Sequence, residues 1–527
     1  MNVIEHGKLD AEKAVVAVAA TTAAGQPEPE AEPTEQVQRQ QPLSKSIFLA
    51  AILASSSFLN TCVSQACVLV LPEINAELAI PQGRSQWIIS SAALANASTL
   101  LLWGRVADIL GRRAIFQSGM ILITISCLVA PFAPNEAVFD LFRAVQGLGT
   151  AAAIPSAMGI IFGVFPKGRA QVYAISAFSA GFPVGGAVGG VLGGIIGQFL
   201  GWKWSFWILS MLLAFCSGLS LVFIPPLPKD LEIQAIPWRK RAQTLLQEMD
   251  WIGLLLSVTS FMFILVAMSE GNIVGWKTPW VLSLLCVGLL LLAIFVFWQL
   301  RLEKRNRQPP LMKLSVFRSG TYSAAMGMYF LAWSSFNNFL IFGTFFYQDY
   351  LGLDVLQTTL RYLPTGIAGF IAVAIGAQLL SRVNGYIIVI FGSVCLVLCN
   401  LLFAVPIPPD TSYWAYSFPA MVMSTFGADT ISPCLSIFIM HAIPPEDQGV
   451  GAAIFHTVGN VGRTIGLAIA TAIQLSVQES HVPSLGEKES LLAGLRAARW
   501  FDFTTAVIAT CIVVVAFRGC GVLGAKK

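Results

Sequence analysis

Residues 103–114 read WGRVADILGRRA, one acid and three arginines set between two runs that are otherwise almost wholly apolar. The flanking runs, roughly 86–107 and 114–134, approach the ~20 residues a helix needs to cross a bilayer. A bend joining two such spans must be short and able to dock on neighbouring helix ends. Gly104 and Gly111 permit close backbone approach. Asp108 suits a positive helix N-terminus or an arginine partner, and Arg112 and Arg113 hold the bend on the cytosolic side. A pairing made in one conformation and broken in another would bias a two-state equilibrium by up to a few kcal/mol. A plain positive-inside anchor is the simpler alternative, and the position between the second and third spans favours a latch.

The rest of the chain fits a membrane setting. Of 527 residues, 56% are hydrophobic and only 11% charged, against about a quarter charged in soluble domains, and the mean hydropathy is +0.72. The net charge of +4 is spread over short loops between spans and does not indicate nucleic-acid binding. Ten cysteines fall in or beside apolar runs without CxxC pairs, so neither a disulfide framework nor a zinc site is expected. Residues 1–45, rich in Pro, Glu and Gln, read as a disordered cytosolic tail rather than a signal peptide.

Apolar segments predict about fourteen spans, near 46–70, 86–107, 114–134, 138–164, 170–198, 203–225, 251–268, 279–299, 321–346, 357–380, 386–406, 412–440, 449–476 and 501–518. Basic residues concentrate in alternate connections, such as 105–113, 229–241 and 301–318, with Arg84, Lys203, Lys277, Lys488, Arg496 and Arg499 on the opposite side. That asymmetry predicts both termini in the cytosol and an even number of spans. Segments 153–171 and 430–449 share a frame, with Pro155 and Pro166 spaced like Pro433 and Pro444, and GRVADILG at 104–111 is echoed by GAQLLSRVNG at 376–385. The chain therefore reads as a duplicated all-α membrane protein: a tail at 1–45, a six-helix bundle at 46–226, linkers with an inserted helix pair at 227–318, a second six-helix bundle at 319–520, and a cytosolic tail at 521–527.

With these motifs in order, the sequence resembles the major facilitator superfamily. GRVADILGRR matches its loop signature through Gly104, Asp108, Gly111, Arg112 and Arg113, and RAVQGLGTA at 143–151 matches its fourth-span signature through Arg143, Gln146, Gly147 and Gly149. FPVGGAVGGVLGG followed by GWKWSFW resembles the fifth-span signature of the drug:proton antiporter branch, with Gly185, Gly189, Gly193 and Gly194 in place. Gly190 stands where that signature usually has proline, and Pro183 offers a kink instead, as in fungal aminotriazole-resistance-type exporters. The resemblance implies the superfamily fold, proton-driven export, and a proton-coupling role for Arg143.

Several further residues draw attention by cost. A cation within a span is held at a penalty of a few kcal/mol and faces a cavity or partner; for Arg143 the alternative is a structural bond to helix ends. Asp429 is an acid inside a span, a candidate to carry the proton or bind a cation, with Arg463 or Arg361 as the basic partner; the competing reading is a permanent Asp429–Arg463 pair. His456 is a weaker proton candidate. Gly181, Gly185, Gly189 and Gly193 recur every fourth residue and, with Gly194, suggest either static helix packing or a sliding gate. Asn60, Gln65, Gln146, Asn337, Asn338 and Asn460 are candidates to line a substrate cavity, against a plain role in helix-to-helix hydrogen bonds.

No GxxxxGK[ST] loop is present, the nearest string being GWKTP at 275–279, and HExxH, GxSxG and metal-spaced His/Cys clusters are absent. The expected protein is thus neither an enzyme nor an ATP-driven pump and needs no cofactor or metal. It is expected to be a monomeric exporter that handles protons and a small amphiphilic drug, toxin or secondary metabolite among membrane lipids, in the cell or vacuolar membrane. An importer or vacuolar transporter on the same fold is the alternative, and a non-transporting receptor or scaffold a more distant one.

Overall fold

The computed structural model describes residues 43–80, 84, 87–227, 230, 231, 233, 236–305, 310–380, 382–408, 411–444 and 447–517. The expected tails at 1–45 and 521–527 lie outside these residues, apart from 43–45. The described chain is helical throughout. Its helices are α1 (Leu43–Leu69), α2 (Leu71–Glu77), α3 (Trp87–Leu110), α4 (Arg112–Val129), α5 (Glu136–Val164), α6 (Arg169–Leu200), α7 (Trp202–Phe223) and α8 (Trp238–Glu248). They continue as α9 (Trp251–Val274), α10 (Pro279–Arg305), α11 (Gly320–Phe345), α12 (Val355–Leu380), α13 (Gly385–Ala404), α14 (Ser417–His441), α15 (Gln448–Leu485) and α16 (Glu487–Ala516).

Local chemistry sets several of the boundaries. Asn135 accepts the Val138 amide and starts α5, and Asp250 accepts the Gly253 amide and starts α9. At the α6–α7 junction Gly201 takes φ +88° with nothing near its missing Cβ, so conformation alone calls for glycine there. Pro155 and Pro433 lie inside α5 and α14, the two segments that share a sequence frame.

Among the described residues, twelve helices are long and apolar enough to cross a membrane. The segments expected as spans at 321–346 and 449–476 are helical, as α11 and α15, but are not among the twelve. Both are diluted by polar residues that face other helices, such as Asn338 and Ser335 in α11. The last expected span, at 501–518, begins instead at Glu487. Arg496 and Arg499, expected in an outer loop, therefore lie on the α16 helix, and Arg499 is buried. Asn96 of the apparent glycosylation sequon lies within α3.

Helices α1, α3, α4, α5, α6 and α7 pack on one another, as do α11 to α16, and the two sets meet where α6 touches α12 and α14 and where α15 touches α3 and α5. Helix α9 packs on α10, α3 and α15. The most apolar stretch of α5 is 89% buried and that of α10 only 17%, so α5 is an interior helix and α10 turns most of its surface to lipid.

Candidate functional site

The charged bend is built around a carboxylate saturated with donors. Asp108, 3% exposed, accepts Arg112 Nε and Nη2 on Oδ1 at 3.1 and 3.0 Å. Across the seam it accepts the amides of Gly449 at 3.2 Å and Val450 at 2.9 Å, the first turn of α15. A carboxylate there satisfies orphan amides and meets the positive end of the helix dipole. Gly104 makes the approach possible, since a Cβ would lie 2.6 Å from the Cβ of Ala453. Arg112 also donates to Gly159 O of α5 at 3.0 Å, and Arg113 to Leu221 O of α7 at 2.6 Å.

Two carboxylates missed in the sequence complete the bend. Gly111, at φ +101°, starts α4 without a side-chain cap. Asp230, from the segment after α7, fills that role: its Oδ1 lies 2.5 Å from where a Gly111 Cβ would be, and the Arg112 and Arg113 amides bond it. Burial pushes the Asp230 carboxyl above its ordinary range, opposed by those amides. Asp447, beside the α15 N-terminus, binds Lys313 at 2.6 Å and approaches Arg105 at 3.8 Å. Asp230 carries no periodic or motif signal, and Asp447 lies in PPEDQG at 444–449, a string similar to that of the fungal exporters that does not by itself name its partners; both roles come from docking across distant segments.

Deeper in the helices, Arg143 is 2% exposed. It donates to Ile88 O at 3.0 Å and to Gln146 Oε1, tying α5 to the start of α3. Gln146 is thereby taken up by Arg143, and Asn60 accepts Thr150 Oγ1 at 2.7 Å. Gln65 is exposed and Asn460 partly so. Asn338 is fully buried and donates to Asp502 Oδ1 at 2.7 Å, which removes it from a cavity lining. Its cluster includes Asn400, which donates to Ser335 Oγ at 2.9 Å, and Arg499, which donates to Phe339 O at 2.8 Å. Arg499 was unreadable because it sits on the part of α16 expected as loop, and Asp502 stood at the very edge of the span expected at 501–518.

The Asp429–Arg463 pair of the competing reading is not formed among the described residues. Asp429, 7% exposed, has a buried Oδ2 with no hydrogen-bond partner. That oxygen lies 2.8 Å from where a Gly369 Cβ would be, with Pro183 Cβ equally close, which places Asp429 where α14 meets α12 and α6. Arg361 packs its guanidinium over Tyr347 and Tyr413 instead. Arg463 donates Nε to Asn337 Oδ1 at 3.0 Å, its only hydrogen bond among the described residues, and keeps exposed surface. Helix periodicity suggests neighbours along one element, whereas these partners were chosen by packing between elements.

The glycine stripe of α6 faces α1. A Cβ at Gly189 would lie 2.5 Å from Cys62 Cα, one at Gly193 2.6 Å from Ala66 Cα, and Gly181 and Gly185 meet the α1 backbone near Ala54 and Phe58. Gly194 has nothing within 4 Å and does not belong to the stripe. The contact with α12 uses another face of α6, where Pro183 and Ala187 oppose Gly369 and Gly366.

Sequence reading also missed an aromatic row. Tyr329, Trp333 and Phe336 stack along α11, Phe455 of α15 lies over Tyr329 at 3.9 Å, and His456 follows, with Phe182 of α6 at 6.5 Å. The row carries rings from both helix sets, and the 329/333/336 spacing was its one visible sign.

Comparison with known proteins agrees with this architecture. The family model described as Major Facilitator Superfamily matches residues 53–269 and 247–467. The chain is 28% identical to the Low affinity ammonium transporter of Saccharomyces cerevisiae, with 76% of each chain covered. It is 24% identical to Efflux pump terJ of Aspergillus terreus, covering 88% of this chain and 86% of that one. It is 25% identical to the Aminotriazole resistance protein of Saccharomyces cerevisiae over 82% of this chain and 76% of that one. The human organic anion transporter MFSD10 superposes with a TM-score of 0.61 at 15% identity, over 90% of this chain and 100% of that one. An all-helical membrane fold, a charged bend that grips the start of a distant helix, and a family match over most of the length lead to one assignment: the chain is a multi-pass membrane transporter, not an enzyme, and belongs to the major facilitator superfamily.

Proposed function

We propose that this protein is a proton-coupled exporter of small amphiphilic organic compounds that works by alternating access. The observation that carries the reading is Asp429, whose Oδ2 is buried without a partner at the junction of α6, α12 and α14. A lone buried carboxylate is strongly disfavoured, and a proton removes the charge. Its position beside a seam between the two helix sets lets protonation alter how they pack.

In this reading α1, α3–α7 and α11–α16 form two six-helix bundles, with α9 and α10 as an inserted pair, and α11 and α15 complete fourteen spans. The termini and the 105–113 bend are cytosolic, consistent with the loop charges. The structure is then the state with the cytosolic latch closed, Asp108 gripping α15. Arg143 and Gln146 order the first bundle beside the proton route, and the α6 glycines let α1 and α6 move as one body. A monomer in the cell membrane suffices, with no nucleic-acid partner. The efflux and resistance proteins among the relatives favour export.

The ammonium transporter among the relatives favours a second reading, movement of a small solute in the other direction. Reconstituted vesicles with an imposed proton gradient separate the two. Export requires flux of a loaded amphiphilic dye against the proton gradient and its loss when the gradient is collapsed by an ionophore. Flux indifferent to the gradient sinks the coupling, and net flux with the proton gradient favours the second reading.

A further inference from the structure

The candidate cations and acids of the membrane interior are not equally occupied. Arg143 spends its guanidinium on Ile88 O and Gln146, and Arg499, 2% exposed, gives Nη2 to Phe339 O, lies over the rings of Phe339 and Phe403 and has Asp502 in electrostatic reach, although its Nη1 is unpartnered. Arg463 differs. Only Nε is used, on Asn337 of α11, so both terminal nitrogens are without a protein partner, and the residue keeps exposed surface where α15 meets α11. A cation left open at such a contact is placed to take an anion.

Its surroundings are aromatic. Asn337 follows Phe336 on α11 and lies one turn beyond Trp333, and Arg463 is within electrostatic reach of Tyr329. Gly459, one turn before Arg463, lets α15 close on this wall, since a Cβ there would meet Trp333 Cδ1 and Tyr329 Cε1 at 2.8 Å. The ring row then runs through Phe455 and His456 to Phe182 of the other helix set. No carboxylate, Asp429 included, makes an ion pair with Arg463 among the described residues.

We infer that Arg463, with Asn337 and the half-buried rings of Trp333 and Phe336 backed by the buried Tyr329, forms a binding site for planar aromatic acids, with the guanidinium taking the carboxylate and the two rings taking the aromatic body. The chemistry is direct. A guanidinium presents parallel N–H donors that match a carboxylate bidentately, and its two terminal nitrogens are the ones left open. Stacked rings give large apolar area at low entropic cost and accept flat ligands of varied outline. A neutral analogue would keep the stacking and lose the charge-assisted bonds. The inference deepens the exporter reading by naming a substrate class, and it rests on that reading only for its physiological use.

Equilibrium binding to the purified full-length chain in detergent, with 2-naphthoate and its neutral isostere 2-naphthamide as probes, tests it without transport. The acid is expected to bind about 10- to 100-fold tighter than the amide. Arg463→Gln should erase that difference while leaving 2-naphthamide affinity within about twofold, and Arg463→Lys should restore part of it. Trp333→Ala should weaken both probes alike. Equal affinity of the native protein for acid and amide overturns the inference, as does an Arg463→Gln protein that keeps the preference. The native comparison decides the matter even where a variant fails to fold. Discrimination by native protein that shows no proton-driven efflux would leave this site standing and remove only the exporter reading.

Discussion

Two buried carboxylates in this protein live in opposite circumstances. Asp108, at the charged bend, takes two bonds from Arg112 and two from the α15 amides. Asp429, in α14, keeps an oxygen with none. Burial is nearly the same, 3% and 7% exposed, so the difference lies in partners and not in depth. A carboxylate saturated by donors stays charged and holds parts together, whereas one without them is poised to take a proton. The contrast teaches that the acid of the recognisable motif is fully partnered and the acid in α14 is not, which is why the proposed function gives the first a holding role and the second the coupling role.

The largest effect is expected where the contrast is removed on the coupling side. Asp429→Asn should abolish the proton dependence of flux in reconstituted vesicles while changing folding stability by less than about 1 kcal/mol, since no bond to Oδ2 is lost. Normal pH-dependent transport in that variant would erase the distinction between the two acids.

Asp108→Asn attacks the other side. The amide keeps an oxygen for the three bonds made to Oδ1 but turns an NH2 toward the Val450 amide and removes the charge that faces Arg112 and the α15 N-terminus, so the closed arrangement should lose about 2 kcal/mol, roughly a 30-fold shift between conformations. Label-to-label distances between α3 and α15 at the bend report it, and an unchanged distance distribution would demote Asp108 to an anchor.

The same test of partnered against free positions extends to glycines. Gly189→Ala drives a methyl into the Cys62 backbone and should cost about 1–2 kcal/mol. Gly194→Ala, with open space around it, should be neutral or slightly stabilising. Thermal unfolding of the two proteins in detergent separates them, and equal melting temperatures would mean that α1 and α6 do not pack through the stripe.

The smallest effect concerns Glu77, exposed, whose carboxyl is held below its ordinary value first by the hydrogen bond from Lys203 and then by that from Trp202. A depressed value means that its contribution is present above about pH 4.5 and is lost as pH falls through the lowered one. Exposure keeps it small. Glu77→Gln should flatten the acid limb of the stability profile slightly, and a steeper limb would reverse the sign assigned here.

The amino-acid sequence alone determined that this is a helical membrane protein, because runs of about 20 apolar residues admit no other stable form in lipid. It also located the bend motif, the in-span Arg143 and Asp429, and the α6 glycine stripe. Tertiary structure alone decided what each of these touches. Periodicity tells which residues share a face of one helix but is silent on which helix comes to lie against that face. Asp429 accordingly faces α6 and α12 and not Arg463, Gly194 falls off the stripe, and Asn338 turns to Asp502. Asp230 and Asp447 gain their roles only when remote segments dock on the bend. A polar group in hydrocarbon must find a partner or water; the chain fixes which groups carry that need, and packing across helices fixes how each is met.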